Sequence, residues 1–349
     1  MSDNSLSYTE LIKVISELAE NSLQLWELPN DSKVKLINVS ENFTFLVEAS
    51  NGFKSILRVH RENYHTRNAI LCEHAWAKEL NDNGGVITPG IIKGRDGQNI
   101  QSATINGLHS ERFLVMFEYV DGKEPIQQGD LVGPFEELGE IAALTHLHSI
   151  SWERPKNFER LIWDLDTVFG PEAIWGDWRN APNMTNEILN ILENAQTKVT
   201  DRLLKFSKSS ERFGLIHADM RLANLIITEN NTRLIDFDDC GLGWFMYDFA
   251  AGISFIEDDP QITALKNAWL RGYRKKRNLT EGDENEIDTF IMMRRLALLA
   301  WIGSHIEVDT AKELAPTFAP VTKNLAELYL DKFSSVSYTH LTLPTSDLV

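Results

Sequence analysis

Two acids and an amide stand at a spacing that suits phosphoryl transfer. The segment Gly214-Leu-Ile-His217-Ala-Asp219-Met-Arg-Leu-Ala-Asn224-Leu-Ile-Ile is followed by Arg233-Leu-Ile-Asp236-Phe-Asp-Asp. An apolar strand delivers a loop that holds an acid and, five residues on, an amide; a second apolar strand delivers another acid. If the two strands pair across the loop, Asp219, Asn224 and Asp236 converge on one all-oxygen site. Hard oxygen donors suit Mg²⁺ and leave coordination positions for phosphate oxygens and water. Phosphoryl transfer uses such a site. The metal neutralises β- and γ-phosphate charge, and one free carboxylate orients the attacking hydroxyl and takes its proton. Asp219 is then the candidate base, Asn224 and Asp236 the candidate metal ligands, and His217 a brace for the loop rather than the base. Arg221 has two readings, a contact to γ-phosphate or substrate and a solvated loop residue. The competing account of the whole stretch is a polar hairpin with a helix-capping Asp. The Ile-Asp-Phe-Asp strand twelve residues after Asn224 weighs against it.

The elements that must hold these residues are legible as periods. Residues 8–24 repeat apolar positions at helical spacing, with Leu11, Ile12, Ile15, Leu18, Ala19 and Leu23. Strands are expected at Val34–Val39, Phe43–Glu48 and Lys54–Arg61, the last two joined by the turn Ser50-Asn51-Gly52. A helix containing Ile70, Trp76 and Leu80 should stop near Asn83-Gly84-Gly85. Ile100–Ile105 and Phe113–Tyr119 complete an antiparallel sheet with one inserted helix. Beyond Asp121-Gly122 the periods turn helical, at Phe135–Ser149, at Glu187–Phe206 and in about three helices over 244–330. Residues 152–183 are rich in Trp, Pro and Gly without a clean period. Ser334–Val349 lacks period and caps, and reads as a loose tail or as residues foreign to the native chain.

Composition narrows the classes. With 349 residues the chain is long enough for two lobes around a cleft, and 43% hydrophobic content excludes disorder as the default. A net charge of −17 argues against nucleic acid as a partner. The same charge steers cationic small molecules, or simply keeps the protein soluble. Cys72 and Cys240 are too few and too far apart for a disulfide framework. Cys72 with His74, and His146 with His148, lack a second pair at metal-site spacing. No basic leader precedes an apolar stretch, and no run approaches the ~20 residues that span a bilayer. A cytoplasmic protein with no membrane partner, monomeric or homodimeric, is expected.

The segment 213–252 resembles the catalytic core of the aminoglycoside phosphotransferase and choline kinase superfamily. That family writes these motifs approximately as His-Gly-Asp-x4-Asn and Ile-Asp-Phe/Trp-x-Asp. The resemblance extends over roughly residues 30–330, and Ala218 stands where the family usually has Gly. Among its branches the chain is most similar to bacterial proteins grouped with the protein-kinase-fold homoserine kinases and the stress-response Ser/Thr kinases. It implies an α+β, bilobal, protein-kinase-like fold. The N-lobe would be residues 1–119, the C-lobe 120–333, and 334–349 a tail. It also implies ATP as donor, Mg²⁺ as cofactor and a hydroxyl group as acceptor.

Further roles follow from the resemblance alone. Arg58 fills the strand position where protein kinases generally carry Lys, as the cation for α/β-phosphates, and Glu73 on the next helix is its partner. Ser40-Glu41-Asn42-Phe43-Thr44 takes the place of the phosphate-covering loop, with the N–H groups of Asn42 and Phe43 toward phosphate. Phe113–Gly122 corresponds to the inter-lobe hinge around Glu118, with the main chain of Phe117 and Tyr119 toward adenine and Met116 against its ring. Asp248 matches a structural position and is expected to cap a helix starting at Phe249. For the acceptor pocket the aromatic stretch offers Trp163, Trp175 and Trp178, with Trp301, and the acids Asp164, Asp166, Glu172 and Asp177; ordinary core and surface roles compete for each. The acceptor classes expected are aminoglycoside, amino alcohol and hydroxy amino acid. Two rival readings are a stress-response-type protein Ser/Thr kinase and a catalytically weak nucleotide-binding regulator.

Overall fold

The computed structural model describes residues 6–40, 42–125, 129–229 and 231–334. Glu41 of the expected phosphate loop and most of the expected tail, residues 335–349, lie outside the described residues. In chain order the helices are α1 (Tyr8–Ser22), α2 (Arg67–Glu79), α3 (Val132–Ser151), α4 (Leu165–Phe169), α5 (Asn186–Phe206), α6 (Tyr247–Gly252), α7 (Ile262–Arg274), α8 (Glu281–Asn285), α9 (Ile287–Ser304) and α10 (Asp309–Ser334). The strands are β1 (Lys33–Val39), β2 (Phe43–Glu48), β3 (Lys54–Val59), β4 (Ile91–Ile92), β5 (Gln101–Ala103), β6 (Arg112–Glu118), β7 (Leu161–Trp163), β8 (Phe213–Ile216), β9 (Leu225–Ile227), β10 (Thr232–Leu234) and β11 (Gly241–Trp244). The chain divides into two units. One holds Met1–Ile162, Gly214–Gly243 and Ala264–Asn278, and the other holds Trp163–Phe213, Trp244–Thr263 and Leu279–Val349.

The first unit is built on an antiparallel sheet in the order β1-β2-β3-β6-β4, with β5 also on β6. Its β2–β3 hairpin closes where the Asn-Gly signal put it. Gly52 takes φ +88, a left-handed conformation that costs glycine little. Strand alternation gives the sheet two lined faces. Phe45, Val47, Leu57, Val59, Leu114 and Met116 pack with Ile15, Leu18 and Ala19 of α1 and with Trp26. Val115 packs with Ile70 of α2 and Ile100 on the other face, with Phe113 and Phe117 alongside. Helix α1 starts on a capping box, Ser7 with Glu10, and α2 on the hydroxyl of Thr66. β4, only two residues long, carries no period of its own and is absent from the sequence reading.

Helices α3 and α7 meet through a reciprocal pair of glycines. A Cβ on Gly139 would lie 2.0 Å from the Trp269 carbonyl oxygen, and one on Gly272 1.8 Å from that of Glu136. Only hydrogen at both positions lets the two main chains touch. Ser149, near the end of α3, accepts the Leu215 N–H at 2.6 Å and so ties the helix to β8.

The second unit is helical. α9 is apolar nearly all round and correspondingly buried, in contact with α5, α6 and α10. Five helices, not about three, occupy 244–334, because the short α6 and α8 offer too few turns to show a period. The expected pocket tryptophans act as core in this unit. Trp163 stacks on Tyr247 and lies 5.0 Å from Trp175, while Trp178 donates to Gln196. Asp164 caps α4 and binds Lys208, and Asp177 pairs with Arg179. Asp248 is not a cap. α6 begins at Tyr247, so Asp248 falls inside its first turn, fully buried.

Candidate active site

β8 leads into the loop with its acid, and the loop is closed by main-chain bonds rather than by the pairing expected from sequence. β8 joins β11 and β7, while the strand before Asp236, β10, pairs with β9 in the register Leu225↔Leu234. That hairpin is held from two sides. Lys123 and Ile227 exchange both main-chain bonds, and Leu234 N–H donates to the Ile87 carbonyl. His217 then bridges the loop to the second acid. Its Nε2 donates to the Ile235 carbonyl at 3.0 Å, and its Nδ1 faces the Asp219 N–H at 3.4 Å. The Ile235 N–H returns to the Asn224 carbonyl at 2.9 Å. These bonds bring Asp219, Asn224 and the stem of Asp236 into one cluster within the first unit.

Ala218, inside this loop, has φ +63 and is fully buried. An alanine there carries steric cost that glycine escapes. Ala218→Gly is expected to raise stability by about 0.5–1 kcal/mol, read by urea denaturation. A fall in stability would mean that the Ala218 methyl group contributes more by packing than its backbone loses by strain.

Asn224 Nδ2 donates to both the Asp219 carbonyl at 2.8 Å and Asp219 Oδ2 at 2.9 Å. With its amino group committed, Asn224 turns its oxygen away from Asp219. Asp236 has φ +60, a conformation Asp tolerates, and its side chain is 44% exposed. One amide oxygen and one exposed carboxylate, both hard donors, fit a Mg²⁺ ion whose remaining positions go to phosphate and water. Among the described residues no group of three or more His, Cys, Asp or Glu is placed to hold a metal ion. Arg221 meets Asp219 bidentately, Nε to Oδ1 at 2.9 Å and Nη2 to Oδ2 at 3.1 Å.

Arg58 lies on β3 opposite Val115 and is almost buried. Its guanidinium reaches Glu73 at 2.9 Å, Asp236 at 2.7 Å and Asp238 at 3.5 Å. Burial alone would lower its pKa, but Asp236, Glu73 and Asp238 together raise it. Glu73 is pushed up by burial, against the pull of Arg58 and Arg160. Asp238 is held far below the usual carboxylate range: burial opposes ionisation, but His65, Arg58 and His60 outweigh it. His65 Nε2 also donates to the Asp238 carbonyl at 2.9 Å.

Two hinge assignments need correction. Met116 is 0% exposed in the core between the sheet and α1, on the face opposite Arg58, and offers no surface to a ring. Phe117 lies between Ile56 and Ile91 in the sheet, and the Glu118 N–H donates to Gly90, so the main chain leaves the ladder only at Tyr119. The Phe117 side chain is the group that faces this site, with the Arg58 guanidinium 5.1 Å from its ring. In the phosphate loop, Asn42 Oδ1 takes the Arg61 N–H at 3.0 Å, and Phe43 sits in the ladder between Val39 and Val59.

Sequence reasoning missed four residues here: His60, His65, Arg160 and the role of Asp238. Asp238 had a signal only as a second acid two residues beyond Asp236, in a turn after β10 rather than in a strand, and the other three show none. His60 and His74 are buried, and both are driven toward the neutral form, first by burial; His74 falls to about 3. A lowered histidine pKa gives stability that is complete above the unfolded pKa near 6.5 and lost as pH falls below it. His74 is expected to cost about 2 kcal/mol between pH 6.5 and 5, at about 1.4 kcal/mol per pH unit, and His60 acts in the same direction. Urea titrations across that range check this, with His74→Asn giving a shallower slope; an unchanged slope would contradict it.

Residues 33–279, more than half of the chain, match the Phosphotransferase enzyme family, and the chain belongs to it. It is a phosphotransferase with an alcohol group as acceptor, on an α+β, protein-kinase-like fold. A solved structure of a microcompartment-associated aminopropanol kinase is 37% identical, with a TM-score of 0.83, over 90% of this chain and 97% of that one. A solved amicoumacin kinase, in complex with AMP-PNP, Ca²⁺ and Ami, shares the fold at 17% identity and a TM-score of 0.70, over 91% and 94% of the two chains. The amicoumacin kinase of Bacillus subtilis (strain 168) is 20% identical over 296 residues, 80% of this chain and 83% of that protein. No helix among the described residues is long and apolar enough to cross a membrane.

Proposed function

We propose that the chain transfers the γ-phosphate of ATP, with Mg²⁺, to the hydroxyl of a small amino alcohol. The reaction is supported by one arrangement: Asn224 is bonded to Asp219, His217 holds the Ile235 carbonyl next to Asp236, and Asp236 pairs with Arg58. The acceptor class is supported by the 37% likeness to an aminopropanol kinase, and the charge of −17 favours a cationic acceptor. The division into an N-lobe to residue 119 and a C-lobe from 120 to 333 belongs to the same proposal.

Asp219 orients the acceptor hydroxyl and takes its proton as the oxygen bonds to the γ-phosphorus and ADP leaves. Oδ2 already carries bonds from Asn224 and Arg221, so Oδ1 is assigned to the hydroxyl. For that, Arg221 must release it and turn toward phosphoryl oxygens, and 34% of its side chain is exposed. Asn224 and Asp236 hold Mg²⁺, which when bound supplies neutralisation of β- and γ-phosphate charge. Arg58, braced by Glu73, holds phosphate oxygens in exchange for Asp236, with Phe117 beside it. Main chain at Tyr119 meets adenine, and that of Asn42, just before the ladder begins at Phe43, meets phosphate. A cytoplasmic setting accompanies this reading. The chain from Asp236 to α6 contains only β11, too little for a long activation segment, which favours small acceptors over proteins.

The test is a screen with Mg·ATP against 1-amino-2-propanol, ethanolamine, homoserine, aminoglycosides and generic proteins, with products read by ³¹P NMR. A phosphate ester on an amino alcohol is the expected product. Label found only on protein, or released only to water, would overturn the assignment.

A further inference from the structure

Arg160 precedes β7 and has no role in the scheme above. Its side chain is 0% exposed, yet its guanidinium donates to four main-chain carbonyls. Nε reaches Cys240 at 2.8 Å, Nη1 reaches Ala69 at 3.1 Å, and Nη2 reaches Phe237 at 3.3 Å and also Asp238. Nη1 lies 3.8 Å from Glu73 Oε2.

The placement of these partners is informative. Phe237, Asp238 and Cys240 follow directly on Asp236. Ala69 lies in the first turn of α2, where its carbonyl is also the helical acceptor for the Glu73 N–H. Arg160 therefore binds both the peptide beneath Glu73 and the segment that sets Asp236. Glu73 holds Arg58, and Arg58 holds Asp236. The contacts form a closed ring that runs Arg58, Glu73, Arg160, 237–240, Asp236 and back to Arg58.

A fully buried guanidinium is a costly strap, and an apolar side chain would join a loop to a helix at less desolvation. What the charge adds is an influence on Glu73, and through it on how firmly Arg58 grips Asp236. We propose that Arg160 is a positioning residue for phosphoryl transfer, coupling the placement of Asp236 to the Glu73–Arg58 pair. Arg58 and Asp236 thereby adjust together when metal and nucleotide arrive. This rests on the reading of Asp236 as a metal ligand.

The test compares ADP binding by calorimetry with Mg²⁺ and with EDTA, in wild type, Arg160→Lys, Arg160→Met and Asp236→Asn. Wild type should bind ADP more tightly with Mg²⁺, and Arg160→Met should lose at least tenfold of that gain. Its metal-free Kd and its KM for the acceptor should stay within about threefold. Arg160→Lys should recover part of the gain. Equal loss with and without metal, or an unchanged gain in both Arg160 variants, would overturn the proposal. If Asp236→Asn keeps the full gain, the ligand reading fails, whatever the Arg160 variants show. Should the variants not fold, hydrogen exchange on wild type decides. Amides of 69–73 and 237–240 should slow together with Mg·ADP and not with ADP alone, and independent slowing would contradict the ring.

Discussion

Asp219→Asn should lower kcat by about 10²–10⁴-fold, the range expected on losing a positioned base, while the Kd for Mg·ADP moves less than about threefold. Asparagine keeps the shape and the capacity to accept hydrogen bonds, so the loop should remain closed by the His217–Ile235 and Asn224–Ile235 bonds. What disappears is the negative charge that Arg221 now satisfies through two bonds. The acceptor hydroxyl then meets a group that cannot take its proton. Steady-state kinetics and calorimetry on one preparation separate the effects. A variant with near wild-type kcat would remove Asp219 from the chemistry. A variant that had also lost ADP binding would make the residue part of the donor site instead.

The second large effect concerns Arg58. Arg58→Met should destabilise the protein by about 3–5 kcal/mol in urea denaturation and abolish measurable transfer. The reason is what remains behind. Glu73 and Asp238 are buried, and removing the guanidinium leaves two carboxylates short of their shared cation. Their remaining partners, Arg160 at 3.8 Å and two histidines at 3.6–3.7 Å, are farther away. Arg58→Lys restores the charge without the fork, since one ammonium cannot reach Glu73 and Asp236 in the same planar geometry. It should recover most of the stability and only part of the activity, with the deficit in KM for ATP. Full recovery of both would mean that charge alone matters at this position.

Much of the site could be read from local spacing. His217, Asp219 and Asn224 belong to one short loop, and Asp236 lies two residues past the end of the β9–β10 hairpin that follows it, so a short sequence separation brings them close. The Arg58–Glu73 pair came from family resemblance, and the geometry contains it at 2.9 Å. The hinge was less legible. Which residue of β6 faces Arg58 depends on the register with β3, and a one-residue difference exchanges Met116 for Phe117. The strand pairing across the His217–Asn224 loop was open for a similar reason. A short apolar strand does not name its partner, and β10 had both β8 and β9 within reach.

The loop from His217 to Asn224 and the acid at Asp236 were written in the order of residues, because a cluster drawn from neighbouring segments needs few long-range contacts. His60, His65, Asp238 and Arg160 gained their places only in the folded chain. Their partners lie up to 180 residues away, and burial, which no local pattern reports, strengthens those interactions.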